Sequence, residues 1–253
     1  MRKHLQMTES QTYDEFTRGN YRELIRLAKA HYAFARFGDA ATELPIVWWR
    51  HDVDVSVHAA VHLAEMEAAE GCRATYFLQL RSAFYNVLEA AVVDRVKAII
   101  ALGHDIGLHF DASAYRISGE RDLEQQLSFE RSIVSAAFDT EVRAFSFHNP
   151  DAITNGFRGA AYAGLINTYS AYFRTEVGYV SDSNGLWRFR PLTEVLSERA
   201  NPRLQVLTHP EWWQDEPMPP RARIERSVRG RADATLAGYD RMLERAGRPN
   251  IRD

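Results

Sequence analysis

Short apolar runs that alternate with amphipathic stretches constrain the fold of this chain more than any other feature. Pro45-Ile46-Val47-Trp48-Trp49 is almost continuously apolar, as a strand buried on both faces must be, and it stops at Arg50-His51-Asp52-Val53-Asp54. Val57, Ala60, Val61, Ala64 and Ala68 then recur at helical spacing over residues 55–70, with Gly71 at the usual C-cap position. Ala74-Thr75-Tyr76-Phe77-Leu78 reads as the next strand, and Asn86 with Glu89 resembles a capping box opening a helix that ends at Gly103. Asp105-Ile106-Gly107-Leu108-His109, a helix over 123–138 and a strand over 142–147 repeat the rhythm, until His148-Asn149-Pro150 interrupts it. Later strand candidates are 165–170, 187–190 and 204–208, before an arginine-rich helix over 221–244. Residues 1–40 read as a helical lead-in, with Tyr21, Leu24, Ile25 and Ala28 on one face. Long connections between successive strands imply parallel strands with crossover helices, hence an α/β sheet or barrel. No Gly/Ser or Pro tract divides residues 41–253, which are expected to form a single barrel domain with a C-terminal helix.

Composition narrows the function. The 31 Lys and Arg against 34 Asp and Glu leave a net charge of −3, without the basic footprint of a nucleic-acid binder. Cys72 is the only cysteine, so no intrachain disulfide or Cys-rich zinc module can form, which favours a reducing compartment. The opening MRKHLQMTESQTYDEF lacks the apolar core of a signal peptide, and no window approaches the roughly 20 apolar residues of a membrane span. A cytoplasmic protein with no nucleic-acid partner and no membrane span is the expectation.

Polar residues collect where the inferred strands end: Asp52 and Asp54, His109 and Asp111, His148 and Asn149, Thr208 and His209. In a parallel sheet those ends share one face, so four scattered clusters become one pocket. Asp and His suit zinc or another first-row divalent ion, and three protein ligands plus water is the arrangement of a catalytic site with a metal-activated water as nucleophile. Strand alternation puts Asp52 and Asp54 on one side; one can bind the ion while the other takes a proton from the water. Asp54 also stands where it could simply cap the following helix. Arg50 is placed to hold the base ionised. Proline at 150 biases Asn149 towards extended backbone and so aims its neighbours, His148 among them. Trp212 and Trp213, beside His209, are either a flat wall for a sugar ring or plugs of the core. His104, at the opposite end of its strand, reads as structural. His58 and His62 share a helix face but lack the Glu of His-Glu-x-x-His, and read as a solvated surface.

Taken in order, Arg50-His51-Asp52-Val53-Asp54, Glu67-Ala68-Ala69-Glu70-Gly71-Cys72-Arg73-Ala74-Thr75-Tyr76-Phe77, Gly103-His104-Asp105-Ile106-Gly107-Leu108-His109, Phe145-Ser146-Phe147-His148-Asn149-Pro150 and Leu207-Thr208-His209-Pro210 resemble the polysaccharide deacetylase (NodB-homology) superfamily over residues 45–213. The resemblance implies an irregular, incomplete (β/α) barrel of about seven strands with a divalent metal, often zinc, at its mouth. It also implies hydrolysis of the amide of N-acetylated sugars or of other non-peptide C–N bonds. By motif, Asp52 corresponds to the general base, Asp54 to the metal-binding aspartate, His109 to the first metal-binding histidine and His209 to the histidine that protonates the leaving amine. A second ligating histidine is usual four residues after the first, where this chain has Ser113; His148 is favoured over Asp111 as the replacement. The family's pre-proline arginine is also missing, with Arg50 as its substitute. Arg50, Asn149, Trp212 and Trp213 are the candidate substrate contacts, for a carbohydrate partner, and residues 182–187 read as a loop that covers substrate. The expected activity is N-deacylation of an amino sugar in surface-polysaccharide biosynthesis. Two alternatives stand beside it: a glycosyltransferase using Asp52-Val53-Asp54 as Asp-x-Asp, and a non-catalytic carbohydrate-binding scaffold for which Ser113 is the main support.

Overall fold

Charged residues inside a strand must be paired, and β2 shows how this chain pairs them. The computed structural model describes residues 13–39 and 45–251. Residues 1–12, which carry most of the reading on an export signal, and the proposed boundary at 40/41 lie outside the described residues. The first helix, α1 (Arg18–Lys29), is capped by Thr17, whose hydroxyl accepts from the Asn20 amide, and it buries the four residues whose spacing predicts it. The lead-in is not wholly helical: β1 (Ala33–Phe34), too short to carry a period, pairs in parallel with β2 (Ile46–Val53). All eight residues of β2 are buried, Arg50, His51 and Asp52 among them, because the ladder with neighbouring strands continues past the apolar run.

Helix α2 (Val57–Ala69) starts on Ser56, whose hydroxyl accepts from the Ala59 amide. Ser56 therefore releases Asp54 from any capping duty. After β3 (Thr75–Leu78) comes α3 (Ala90–Ala101), and here the expected capping box does not form: Glu89 makes no side-chain cap, and Asn86 Oδ1 accepts from the Leu88 amide instead. The chain continues through β4 (Asp105–Phe110), α4 (Glu120–Phe138), β5 (Ala144–Phe147), β6 (Ala161–Tyr162), β7 (Leu165–Asn167), α5 (Ala171–Thr175) and β8 (Gly178–Ser181). It ends with α6 (Leu192–Glu198), β9 (Arg203–Thr208) and α7 (Pro220–Arg245). Residues 187–190 are not a strand; Trp187 is a core residue and Arg190 pairs with Glu194 and Glu198 on α6.

Among the described residues nine strands make one sheet in the order β6-β7-β5-β4-β3-β2-β9-β8, with β1 added on β2. Every pairing is parallel except β6 with β7, and the ends of the row are not joined, so the α/β barrel is incomplete as the sequence predicts. The count exceeds the expected seven because β1 and β6 are two-residue additions. Period-two alternation divides the core. Ile46 and Trp48 join Phe37, Phe77, Phe173 and Val177 in one cluster, while Val47, Trp49 and Val53 pack with the helices in a larger one. Gly107 sits opposite Phe77 in the ladder, and a Cβ there would lie 2.5 Å from the Phe77 ring; only glycine leaves that ring its place.

On the helix side, Glu67 of α2 is fully buried and accepts from the Tyr21 hydroxyl, from the Tyr76 hydroxyl at 2.7 Å and from His51 Nε2 at 2.7 Å. Burial pushes its carboxyl up, but His51 and Tyr21 hold it below the ordinary range. His51 Nδ1 in turn meets Thr208 Oγ1 at 2.8 Å, so the charge inside β2 is tied to β3, β9, α1 and α2. His104 spends both ring nitrogens on backbone, accepting from the Ala74 amide and donating to the Ala64 carbonyl.

Candidate active site

The carboxyl ends of β2, β4, β5, β8 and β9 converge because their pairings are parallel, and each delivers one or two polar side chains to the same cavity. Asp54, just past β2, places Oδ1 3.0 Å from His109 Nε2 and 3.4 Å from His148 Nδ1, and the two ring nitrogens are 3.0 Å apart. These three residues form the one His/Cys/Asp/Glu group among the described residues with ligand atoms mutually within 4.8 Å. Asp54 Oδ1 is shielded from solvent yet makes no hydrogen bond. A buried carboxylate oxygen without a donor, facing two imidazole nitrogens, is a donor set that a divalent cation fits. Burial would raise the Asp54 carboxyl, but His109, His148 and His209 hold it far below the carboxylate range. The His148 imidazole is pulled down by burial and lifted more strongly by Asp54, so its net shift is upward.

The outer groups suit the same donor set. His109 Nδ1 lies 2.7 Å from Ser146 Oγ, and Ser146 donates to Asp52 Oδ1 at 3.1 Å. With its proton at Nδ1, His109 turns the Nε2 lone pair towards Asp54 and His148. His148 Nε2 lies 2.8 Å from the Asn149 amide group; in the orientation that offers its oxygen, that amide holds a proton on Nε2 and bares Nδ1. Asn149 is not extended as the following proline suggests: its φ is 43°, a left-handed turn that asparagine tolerates better than most residues. Ser113 and Asp111 take no part, since the Ser113 amide and hydroxyl both bond to Asp111 Oδ1, at 2.9 and 2.7 Å.

Asp52 lies between Ser146 and Arg50, whose Nη2 donates to Asp52 Oδ2 at 3.2 Å. Arg50 is fully buried, also donates to Thr168 and Tyr169, and does not line the cavity. It is therefore a clamp on Asp52, and the expectation of substrate contact at Arg50 is corrected. His209 presents Nε2 3.9 Å from Asp54 Oδ2, while its Nδ1 is 2.6 Å from Asp182 Oδ1. Burial would pull the His209 imidazole down, but Asp182, with Asp54 beyond it, lifts it to about 10.

Asp182 is the functional residue that sequence reasoning missed. It is fully buried, accepts from the His209 amide and side chain, and takes Trp213 Nε1 on its other oxygen at 3.1 Å. The preceding strand has four residues and starts at a glycine, so the sequence reads as loop throughout. The signal available was an aspartate directly after the Tyr179-Val180-Ser181 run, parallel in character to Asp52. Trp212 and Trp213 do not line the cavity. Trp213 packs on Phe16 and Tyr21 at 5.0 and 4.8 Å between ring centroids, so the expected sugar wall is instead a core plug that steadies Asp182. Phe147, Tyr169, Phe173, Tyr179 and Phe189 are the aromatic residues that do line the cavity, whose volume is about 880 Å³. Asp52, Asp54, His109, His148, Asn149 and His209 line it too.

An incomplete parallel barrel with an Asp/His centre at its strand ends is the class that this geometry defines. The sequence matches no protein-family model and no curated protein. Solved structures do resemble it. One is a CE4 family pseudoenzyme from Bacillus anthracis, at 17% identity and a TM-score of 0.43 over 67% of this chain and 56% of that one. Another is a family 4 acetyl xylan esterase from Clostridium thermocellum in complex with a cobalt ion, at 11% and 0.41 over 80% and 92%. A third is the chitin deacetylase of the fungal pathogen Colletotrichum lindemuthianum, at 15% and 0.40 over 73% and 81%. This chain spans little more than half the length of the pseudoenzyme. Among the described residues no helix is long and apolar enough to cross a membrane.

Proposed function

We propose that the protein is a divalent-metal hydrolase, with zinc as the first candidate ion, that removes an N-acyl group of acetyl type from an amino sugar. A cytoplasmic precursor of a surface polysaccharide is the substrate we favour. The observation that carries this reading is the convergence of Asp54, His109 and His148 around an unbonded, shielded carboxylate oxygen, with Asp52 and His209 beside it. A divalent cation held by those three residues supplies Lewis-acid polarisation of an acyl carbonyl and acidifies water.

The remaining work falls to the chain's own groups. Asp52, oriented by Arg50 and Ser146, accepts the proton that the attacking water loses. His209, with Nδ1–H directed to Asp182, carries its transferable proton at Nε2 and delivers it to the departing nitrogen. Water thus adds across the C–N bond, giving a carboxylate and a free amine. The non-catalytic reading loses its main support, because His148 stands as a third donor where Ser113 cannot.

The test pairs metal content with turnover on an N-acetylated amino-sugar panel. Asp52→Asn should keep the ion and lose about 10²–10⁴-fold in rate, whereas Asp54→Asn should lose both. Full turnover in either variant would overturn the proposal.

A further inference from the structure

Three arginines line the same cavity and none has a carboxylate partner among the described residues: Arg158, Arg174 and Arg188. The cavity's own acids cannot serve the three, because Asp52 is taken by Arg50 and Ser146, and Asp54 by the histidines.

Two of the guanidinium groups are also drawn together. Arg174 Nη2 donates to Asn155 Oδ1 at 2.7 Å, and Arg158 Nε donates to the Asn155 carbonyl at 3.4 Å. Arg174 Nε is held in addition by the Tyr169 carbonyl at 2.7 Å, with the guanidinium 5.6 Å from the Tyr169 ring centroid. Like charges gathered on one residue repel unless an anion comes between them, and a guanidinium held by its neighbours loses little freedom on binding one. Arg188 lies 5.5 Å from the ring of Phe189, which is 66% exposed and offers a bare aromatic face. A cavity of about 880 Å³ has room for a hexosamine and a charged substituent together.

We infer that the substrate is an acylated amino sugar bearing an anionic group, phosphate or carboxylate, which Arg158, Arg174 and Arg188 bind while the acyl group reaches the Asp/His centre. This inference rests on the hydrolase reading for its orientation but is tested by binding. Affinities of neutral N-acetylglucosamine, N-acetylglucosamine 1-phosphate and N-acetylmuramic acid are measured by calorimetry on metal-loaded Asp52→Asn protein, so that the probes are not consumed. At least one anionic sugar should bind about tenfold or more tighter than the neutral one, and whichever wins identifies the group. The advantage should shrink in high salt and disappear in Asp52→Asn proteins that also carry Arg174→Gln or Arg188→Gln, with affinity for the neutral sugar unchanged. Equal affinity for all three sugars, or an advantage that survives both arginine substitutions, would overturn the inference. Acetate released from neutral substrate by the wild-type protein with no anionic preference removes the inference alone. Anionic preference with no hydrolysis of any sugar removes the hydrolase reading alone.

Discussion

Ser146 is a single hydroxyl placed 2.7 Å from Nδ1 of His109, the ring nitrogen turned away from Asp54 and His148, and 3.1 Å from a carboxylate oxygen, so it couples His109 to Asp52. Its removal leaves His109 free to take the wrong tautomer. Ser146→Ala should therefore weaken metal affinity about 10–100-fold, read by competition with a chelator, and an unchanged affinity would show that the tautomer is set elsewhere. Asp182 acts on His209 in the same manner: Asp182→Asn should keep the ion and lower turnover about 10²–10⁴-fold. Wild-type turnover in that variant would show that His209 needs no buried partner. Residues of this kind divide by how the sequence displays them. Asp52, Asp54, His109, His148 and His209 are legible because they gather where apolar runs close, and the parallel topology then carries those four strand ends to one face. Ser146 is hidden inside such a run, Asp182 follows a run too short to see, and Trp212 and Trp213 look the same in sequence whether they face a ligand or a core.

At the scale of elements, α4 carries a carboxyl that its surroundings do not balance. Glu130 is 2% exposed, accepts from the Tyr115 hydroxyl at 2.7 Å and leaves Oε2 without a partner. Burial pushes it up to about 7. A folded-state value above the unfolded one means that the folded chain keeps a proton the unfolded chain releases, so stability falls as pH rises from about 4.5 to about 7 and the loss is complete above that. Unfolding measured across this range on wild type and Glu130→Gln should differ in slope, the variant lacking a decline of the order of 1–3 kcal/mol; parallel curves would contradict the assignment. The helices themselves were the most legible elements: α1 buries the four residues whose spacing predicts it, and α2 buries Val57, Ala60 and Ala64 of its predicted face but Leu63 and Glu67 in place of Val61 and Ala68. The strands were less so. In β2 the apolar pattern stops at Trp49 while hydrogen bonding continues, because Glu67, Thr208 and Asp52 supply partners that only the folded chain brings near His51 and Arg50.

For the molecule as a whole, the open parallel sheet does two things with one strand. The face of β2 towards the cavity holds Arg50 and Asp52 for chemistry, and the opposite face holds His51 in the Glu67 cluster that joins α1 and α2 to the sheet. The parallel α/β class could be read from alternation and the incomplete barrel from the resemblance of the motifs, whereas the two-residue strands and the identity of the cavity wall depend on long-range packing that periodicity does not encode. The central claim is that His148, reached from β5, completes with Asp54 and His109 a site for one divalent ion. Zinc titration with metal analysis of wild type, His148→Ala and Ser113→Ala tests it most directly. The account predicts one ion per chain in wild type and in Ser113→Ala, and loss of that ion in His148→Ala; undiminished binding in His148→Ala would contradict it.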